Sequence, residues 1–346
     1  MRLPRLTRAR RDDAAVDAHT AQAAREAGDR LAAEGRLVEA VDMLAVANRA
    51  LDDADVAARL VELRLAAAAA YEAGPARVPW PPAYADPFPD AVGRIPEITP
   101  AELTSDVLGG AVLHHGALIV RSAFSPTQVQ RGVDAIERTR AQHDGWYRPV
   151  DVQGRKKILA LRQMVREQGG TWLADSPHGT ALVLDELSDA GVIDAITGHL
   201  GERPFISLQK STLRRAPAED RIVAWHQDGS FLDTDVRTMN VWVALSRCGG
   251  DYPSPGLQVA PFRLPRVLTV DGALTPHSIS DDLVAEVTRE HPVVVPAFDP
   301  GDAMLFDERF LHRTYVNAQM TEDRYALECW FFAPSHPASG YLPLLV

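Results

Sequence analysis

The stretch 205-FISLQKSTL-213 opens a series of short β-rich segments that continues almost to the end of the chain. Each segment is rich in β-branched and aromatic residues, and turn-forming residues separate it from the next. Many short strands of this kind, with no internal repeat, are typical of a jelly roll or barrel. The segments span 205–213, 221–226, 238–245, 256–260, 291–297, 303–308, 311–316 and 325–333.

The chain upstream of these strands favours helices. Residues 1–74 are rich in alanine and nearly free of proline, and apolar residues recur at intervals of three and four. Within this segment the small residues and Gly35 resemble one tetratricopeptide unit, although a plain helical hairpin that supports the main domain fits equally well. A lone repeat cannot bury its own apolar face. We therefore expect the segment to pack on the next domain, on a second copy of the chain or on a protein partner.

A proline-rich linker separates the two regions. Seven prolines occur between Gly74 and Ile98, a density that excludes a helix or a central strand. Thr99 and Pro100 then have the residue types of a helix cap and a first helical position. The sequence predicts an α+β protein: a helical segment (1–74), a linker (75–98), and a jelly-roll domain (99–346) built on a double-stranded β-helix flanked by helices.

The overall composition excludes several classes of protein. The 36 Lys and Arg residues against 47 Asp and Glu residues give a net charge of −11, which opposes binding to nucleic acid or to an anionic membrane. The two cysteines, Cys248 and Cys329, cannot form a disulfide framework, and no thiolate zinc motif occurs. The sequence shows no apolar run of membrane-spanning length and no signal-peptide core. We expect a cytoplasmic protein.

The motif 225-WHQDG-229 carries the strongest chemical signal. On a strand, residues two apart share a face, so His226 and Asp228 point the same way. A third metal ligand must come from a distant strand, and His312 is the candidate. Two imidazoles and one carboxylate on one side of an ion leave open positions, an arrangement suited to Fe(II). Taken alone, His226 and Asp228 are equally consistent with a structural hydrogen-bonded pair.

Arg324 supports the prediction of a metal site. It begins the last predicted β-rich segment, 12 residues after His312. A guanidinium at that position, deep in a barrel, can clamp a carboxylate through two parallel hydrogen bonds.

Residues 99–335 resemble the phytanoyl-CoA dioxygenase-like branch of the Fe(II)- and 2-oxoglutarate-dependent oxygenases. The resemblance is carried by WHQDG and by three further segments: 116-GALIVRSAFSPTQV-129, 301-GDAMLFDERFLHRT-314 and 324-RYALECWFF-332. It implies Fe(II) and 2-oxoglutarate as cofactors, with O₂ and a small molecule as substrates. It also implies the site residues, namely the iron ligands His226, Asp228 and His312, the C5-carboxylate anchor Arg324, and the further cofactor contacts Thr238 and Gln209.

The implied reaction releases succinate and CO₂ and oxidises an unactivated C–H bond. Asp228 favours hydroxylation or another oxidation over halogenation, because related halogenases keep that position small. The sequence departs from its relatives at Phe262 and Arg263, where they often read PGSH, so the substrate stays open. Two alternatives also stay open: a cupin-like metal protein that does not use 2-oxoglutarate, and a helical-repeat interaction protein with an inactive oxygenase domain.

Overall fold

The computed structural model describes residues 18–51, 53–72, 79–141, 162–218, 224–232, 235–268 and 277–346. Residues 221–223 of one predicted strand lie outside these ranges. The helices are α1 (Ala18–Ala33), α2 (Leu37–Leu51), α3 (Ala54–Ala70), α4 (Ser105–His115), α5 (Pro126–Ala141), α6 (Pro177–Asp189), α7 (Val192–Leu200) and α8 (Asp281–Val287). The strands are β1 (Glu97–Ile98), β2 (Ala117–Val120), β3 (Gly170–Trp172), β4 (Phe205–Ser207), β5 (Thr212–Ala216), β6 (His226–Gln227), β7 (Thr238–Ala244), β8 (Gly256–Arg263), β9 (Ala303–Phe306), β10 (Phe310–Tyr315), β11 (Arg324–Phe332) and β12 (Pro343–Leu345).

Two sheets form the core domain. The larger sheet has the strand order β1-β2-β9-β7-β11-β4-β12, and β5 pairs with both β11 and β3. The smaller sheet has the order β6-β10-β8. Strands far apart in sequence lie side by side in both sheets, as in a jelly roll. The predicted α+β fold class is confirmed.

Strand β11 shows why the larger sheet lies between two layers. Leu327 and Phe331 belong to the large apolar core that also contains residues of α4, α6 and α7. Ala326, on the opposite face, packs with Trp242 and Phe306 in a second core. Because side chains alternate along a strand, this second face is also the face of Arg324 and Glu328. Helices therefore cover one face of the sheet, and the other face borders the interior of the jelly roll.

The N-terminal helices pack on the core domain of the same chain. Leu44 of α2 and Leu60 of α3 form one apolar cluster with Phe205 and Phe332. Arg64 is buried on α3, and its Nη1 donates a hydrogen bond to the carbonyl oxygen of Leu345, 2.8 Å away. The predicted helical segment is present, and its similarity to a tetratricopeptide unit stays a prediction.

The described part of the linker lies against helix α4. A Cβ atom at Gly109 would be 2.1 Å from the Tyr84 ring, so the linker and the helix are in close contact. His115 is only 5% exposed, and its Nε2 lies 2.9 Å from Asp86 Oδ1. Because adjacent residues on a helix do not share a face, the sequence predicts surface positions for both His114 and His115. That interpretation is wrong for His115, because the linker supplies a covering segment and a carboxylate partner.

Other local predictions also need correction. Segment 291–297 is not a regular strand: only Val294 forms a β-bridge, with Val259. Pro292 and Pro296 remove the amide donors that a longer ladder would need. The turn that begins at Pro100 is a short 3-10 helix, Pro100–Glu102, and α4 begins at Ser105. No described helix is both long and apolar enough to cross a membrane.

Phe205 provides a test of the packing between the helical segment and the core. Its ring makes edge contacts with Tyr71 and Phe332, at centroid distances of 5.7 and 5.9 Å. We expect Phe205→Ala to lower the free energy of unfolding by about 3–5 kcal/mol, measured by denaturant titration, because it leaves a cavity. Val92→Ala, at a 69% exposed position, is the control and is expected to change it by less than about 0.5 kcal/mol. Equal effects of the two substitutions would contradict this packing.

Candidate metal centre

His226 and His312 face each other across the smaller sheet. They are directly paired residues of the antiparallel strands β6 and β10, and their ring centroids lie 4.4 Å apart. Asp228 follows at the start of a short 3-10 helix, Asp228–Phe231, and its Oδ1 lies 3.7 Å from His226 Nε2. One potential ligand atom from each residue lies within 4.8 Å of the other two. The structure therefore brings together the three residues predicted to bind iron.

Backbone carbonyls fix the orientation of both imidazoles. His226 Nδ1 donates to the carbonyl oxygen of Ala224, at 2.8 Å, and His312 Nδ1 donates to that of Phe310, at 3.1 Å. Each Nε2 is then left without a proton when the ring is neutral, and its lone pair is available to a metal. This donor set, two imidazoles and one carboxylate on one side, fits Fe(II) with open coordination positions.

The protonation states of the three side chains suit a cation. Burial, helped by the neighbouring His312, lowers the pKa of His226 to about 4. Burial raises the pKa of Asp228 to about 7, although Asn240 Nδ2 donates a hydrogen bond to Asp228 Oδ2. A bound divalent ion would offset the cost of an ionised carboxylate at this 2% exposed position.

Gln227 points away from the metal centre, as strand alternation predicts. Its Nε2 donates to the carbonyl oxygen of Arg309, at 2.6 Å, and its Oε1 accepts from the amide of Leu268, at 2.7 Å. The side chain therefore ties the metal-binding turn to two neighbouring loops.

Arg324 is a buried cation without a carboxylate partner. The residue is 2% exposed, and its Nη1 donates to the carbonyl oxygen of Gly256, at 3.0 Å. Its guanidinium carbon lies 5.5 Å from the centre of the Trp242 ring. Its Nε has no hydrogen-bond partner, and no described carboxylate lies within salt-bridge distance. Burial lowers the pKa of this group to about 10, so a bound anion would relieve the cost of its charge.

Thr238 and Gln209 have well-defined protein contacts. Thr238 Oγ1 donates to Glu308 Oε2, at 2.9 Å, and burial together with the adjacent Asp307 raises the pKa of Glu308 to about 7. Gln209 Oε1 accepts from the amide of Leu342, at 3.1 Å. The roles of Thr238 and Gln209 toward a cofactor stay predictions.

Two residues near the centre were missed by sequence reasoning. Asn240 lies on the buried strand β7 and holds Asp228. Glu328 accepts hydrogen bonds from Thr212 Oγ1 and Arg214 Nη2, both at 3.3 Å. Alternation from Arg324 would have placed Glu328 on the inner face, but no sequence signal identifies the partner of Asp228.

The departure at Phe262 and Arg263 has a structural explanation. Arg263 Nε lies 2.5 Å from Asp307 Oδ2, and both side chains are almost fully buried. The arginine, the last residue of β8, is therefore paired within the protein.

The jelly roll and the cluster of His226, Asp228 and His312 are typical of the non-haem metal-binding class of proteins, and a family comparison points the same way. The family described as "Phytanoyl-CoA dioxygenase (PhyH)" matches residues 113–320, which include His226, Asp228 and His312. The chain belongs to this family. Arg324 lies four residues beyond the matched range. No curated protein matches the chain.

A solved structure shows the same fold, and a second is similar at a lower score. EctD from S. alaskensis, determined with 2-oxoglutarate and 5-hydroxyectoine, has a TM-score of 0.50 and 20% identity, over 65% of this chain and 75% of that one. AviO1 from Streptomyces viridochromogenes Tue57 has a TM-score of 0.43 and 19% identity, over 65% of this chain and 93% of that one.

The pKa of Asp228 predicts how metal affinity depends on pH. Below pH 7 the carboxyl group is protonated in the metal-free protein, so a metal must displace one proton. We expect Fe(II) affinity, measured by anaerobic calorimetry, to be about tenfold lower at pH 6 than at pH 8. Glu308→Gln is the control, because Glu308 has a similarly raised pKa but does not belong to the ligand set, and it should leave this dependence unchanged. An affinity independent of pH would contradict the protonation assigned to Asp228.

Proposed function

We propose that this protein is an Fe(II)- and 2-oxoglutarate-dependent oxygenase that oxidises an unactivated C–H bond of a small molecule. The observation that carries the proposal is the cluster of His226, Asp228 and His312 in the same jelly roll as the buried Arg324, which has no carboxylate partner among the described residues. A cupin-like protein without 2-oxoglutarate has no need for such a guanidinium.

The chain's own residues prepare the site. The carbonyls of Ala224 and Phe310 hold the two imidazoles, and Asn240 holds Asp228. When bound, iron supplies the activation of O₂ that couples conversion of 2-oxoglutarate into succinate and CO₂ to oxidation of the substrate. Each of these supporting groups fixes a ligand before the metal arrives, so the centre is preorganised.

Arg324 would hold the C5 carboxylate of 2-oxoglutarate. Its Nη1 is held by the Gly256 carbonyl and its guanidinium carbon lies over the Trp242 ring, so the group is positioned before the anion binds. A charge-assisted pair in a buried environment is both strong and directional. The apolar inner core around Trp242, Phe306 and Ala326 limits the access of water to this anchor.

Asp228 and the cysteines bear on two finer points. Because a carboxylate occupies the third ligand position, hydroxylation or a related oxidation is proposed in preference to halogenation.

Cys248 and Cys329 are free, buried thiols, and burial raises the pKa of Cys248 to about 12. Unreactive thiols that form no disulfide suit the cytoplasm, which is the proposed location.

Turnover without added substrate tests the proposed activity. We expect slow, O₂-dependent release of succinate from 2-oxoglutarate that requires Fe(II), measured by chromatography. His312→Ala should reduce it to background, because it removes a metal ligand. His336→Ala is the matched control, because His336 lies in a loop and contacts Ser335, and it should keep the activity. Succinate release that is independent of iron or unaffected by His312→Ala would contradict the proposal.

The anchoring role of Arg324 can be separated from metal binding. We expect Arg324→Met to weaken 2-oxoglutarate binding by about 2–5 kcal/mol, measured by calorimetry, while Fe(II) binding survives. Arg313→Met is the matched control. Arg313 lies on the face of β10 opposite to His312, and its guanidinium carbon is 4.7 Å from the centre of the Trp225 ring. Equal loss of Fe(II) and 2-oxoglutarate binding in Arg324→Met would instead indicate a folding role.

A further inference from the structure

Lys210 lies in a box of aromatic rings. Its Nζ is 3.9 Å from the centre of the Phe231 ring, 4.6 Å from that of Trp330 and 5.8 Å from that of Tyr341. The chain contains only two other lysines, Lys156 and Lys157, among 36 basic residues. We call the three rings the aromatic box.

Hydrogen bonds hold the box together. Gln209 Oε1 accepts from the amide of Leu342, which brings the C-terminal segment to the turn that carries Lys210. Tyr341 Oη then donates to the carbonyl oxygen of Phe231, at 3.0 Å. The box is therefore built from three distant parts of the chain, and its geometry does not depend on a single flexible side chain.

The aromatic box lies against the metal centre. The Phe231 ring meets the His226 ring edge-on, with the centroids 5.9 Å apart. Trp330 is the direct cross-strand neighbour of Asn240, which donates its hydrogen bond to Asp228. Lys210 is thus separated from His226 by one side chain, Phe231, and from Asp228 by two, Trp330 and Asn240.

Three other charged side chains near the centre have an assigned partner. Glu328 pairs with Arg214, at 3.3 Å. Asp228 belongs to the metal and Arg324 to 2-oxoglutarate under the proposed function. Lys210 is half-buried, and among the described residues no carboxylate oxygen lies within 4 Å of its Nζ. Burial lowers the pKa of its ammonium group, and the charges of Asp228 and Glu328 offset this effect only in part.

We propose that Lys210 is a substrate-binding residue and that the substrate carries an anionic group, with an apolar or aromatic body that packs against the aromatic box. This inference rests on the proposed function and deepens it. An anion at Lys210 gains a charge-assisted contact in a partly dehydrated site, whereas a cation there would meet the ammonium directly. The flat faces of Phe231 and Trp330 suit a planar or apolar body beside that anion.

Simple aromatic probes test this charge preference. Phenylacetate, phenyl phosphate and the neutral phenylacetamide are titrated into protein loaded anaerobically with Fe(II) and 2-oxoglutarate, and binding is measured by calorimetry. We expect at least one of the two anions to bind about tenfold or more tightly than the amide. Comparison of the two anions shows whether the site prefers a carboxylate or a phosphate ester.

Variants assign the preference to Lys210. Lys210→Met keeps a chain of similar length without the charge, and it should remove the preference for the anion. Lys210→Arg should restore it. Both variants should bind Fe(II) and 2-oxoglutarate as the unaltered protein does, which shows that the site is folded. Arg247→Met, at a side chain that is 69% exposed, is the control and should leave probe binding unchanged.

Three outcomes would overturn the inference. They are equal binding of the amide and both anions, no binding of either anion, and unchanged anion binding by Lys210→Met. If the protein binds Fe(II) and 2-oxoglutarate in any of these cases, only the substrate inference fails. Protein that is folded yet binds no 2-oxoglutarate would overturn the proposed function together with the inference that rests on it.

Discussion

The pairing of His226 with His312 across β6 and β10 is the constraint on which the rest of the site depends. Two imidazole rings 4.4 Å apart beside the Asp228 carboxylate are arranged as ligands, and burial keeps both rings neutral. Without an ion, this site contains a carboxylate that burial drives toward protonation. The strand register therefore holds the three side chains where an ionised Asp228 is unfavourable, and a bound divalent cation would offset that cost.

The larger sheet contributes a positive charge, the guanidinium of Arg324. Arg324 is the first residue of β11, and Glu328 and Trp330 follow on the same face of this strand. One face of a single strand thus presents the proposed 2-oxoglutarate anchor, a paired carboxylate and one wall of the aromatic box. The other face, with Leu327 and Phe331, belongs to the core that the helices cover. Because side chains alternate along β11, the residues proposed to act in the site lie on one face and the residues that pack in the core lie on the other.

The sequence was informative wherever a local rule decides the structure. The family resemblance indicated His226, Asp228 and Arg324, and β11 begins at Arg324 as predicted, although Asp228 begins a 3-10 helix and does not continue the strand. The fold class followed from many short strands. Tertiary contacts decide the rest. His115 is buried because a distant linker supplies Asp86, and 291–297 forms only one bridge because of its prolines. Lys210 and the aromatic box bring together residues 210, 231, 330 and 341, and no spacing along the chain reveals that they meet.

The most direct test of the central claim is the visible absorption of the protein when Fe(II) and 2-oxoglutarate are added together without O₂. The account predicts a weak metal-to-ligand charge-transfer band that saturates at one Fe(II) and one 2-oxoglutarate per chain, because the proposed function has a single 2-oxoglutarate contact both the metal and Arg324. Folded protein that binds both components but shows no such band would mean that they occupy separate sites, and would contradict the account.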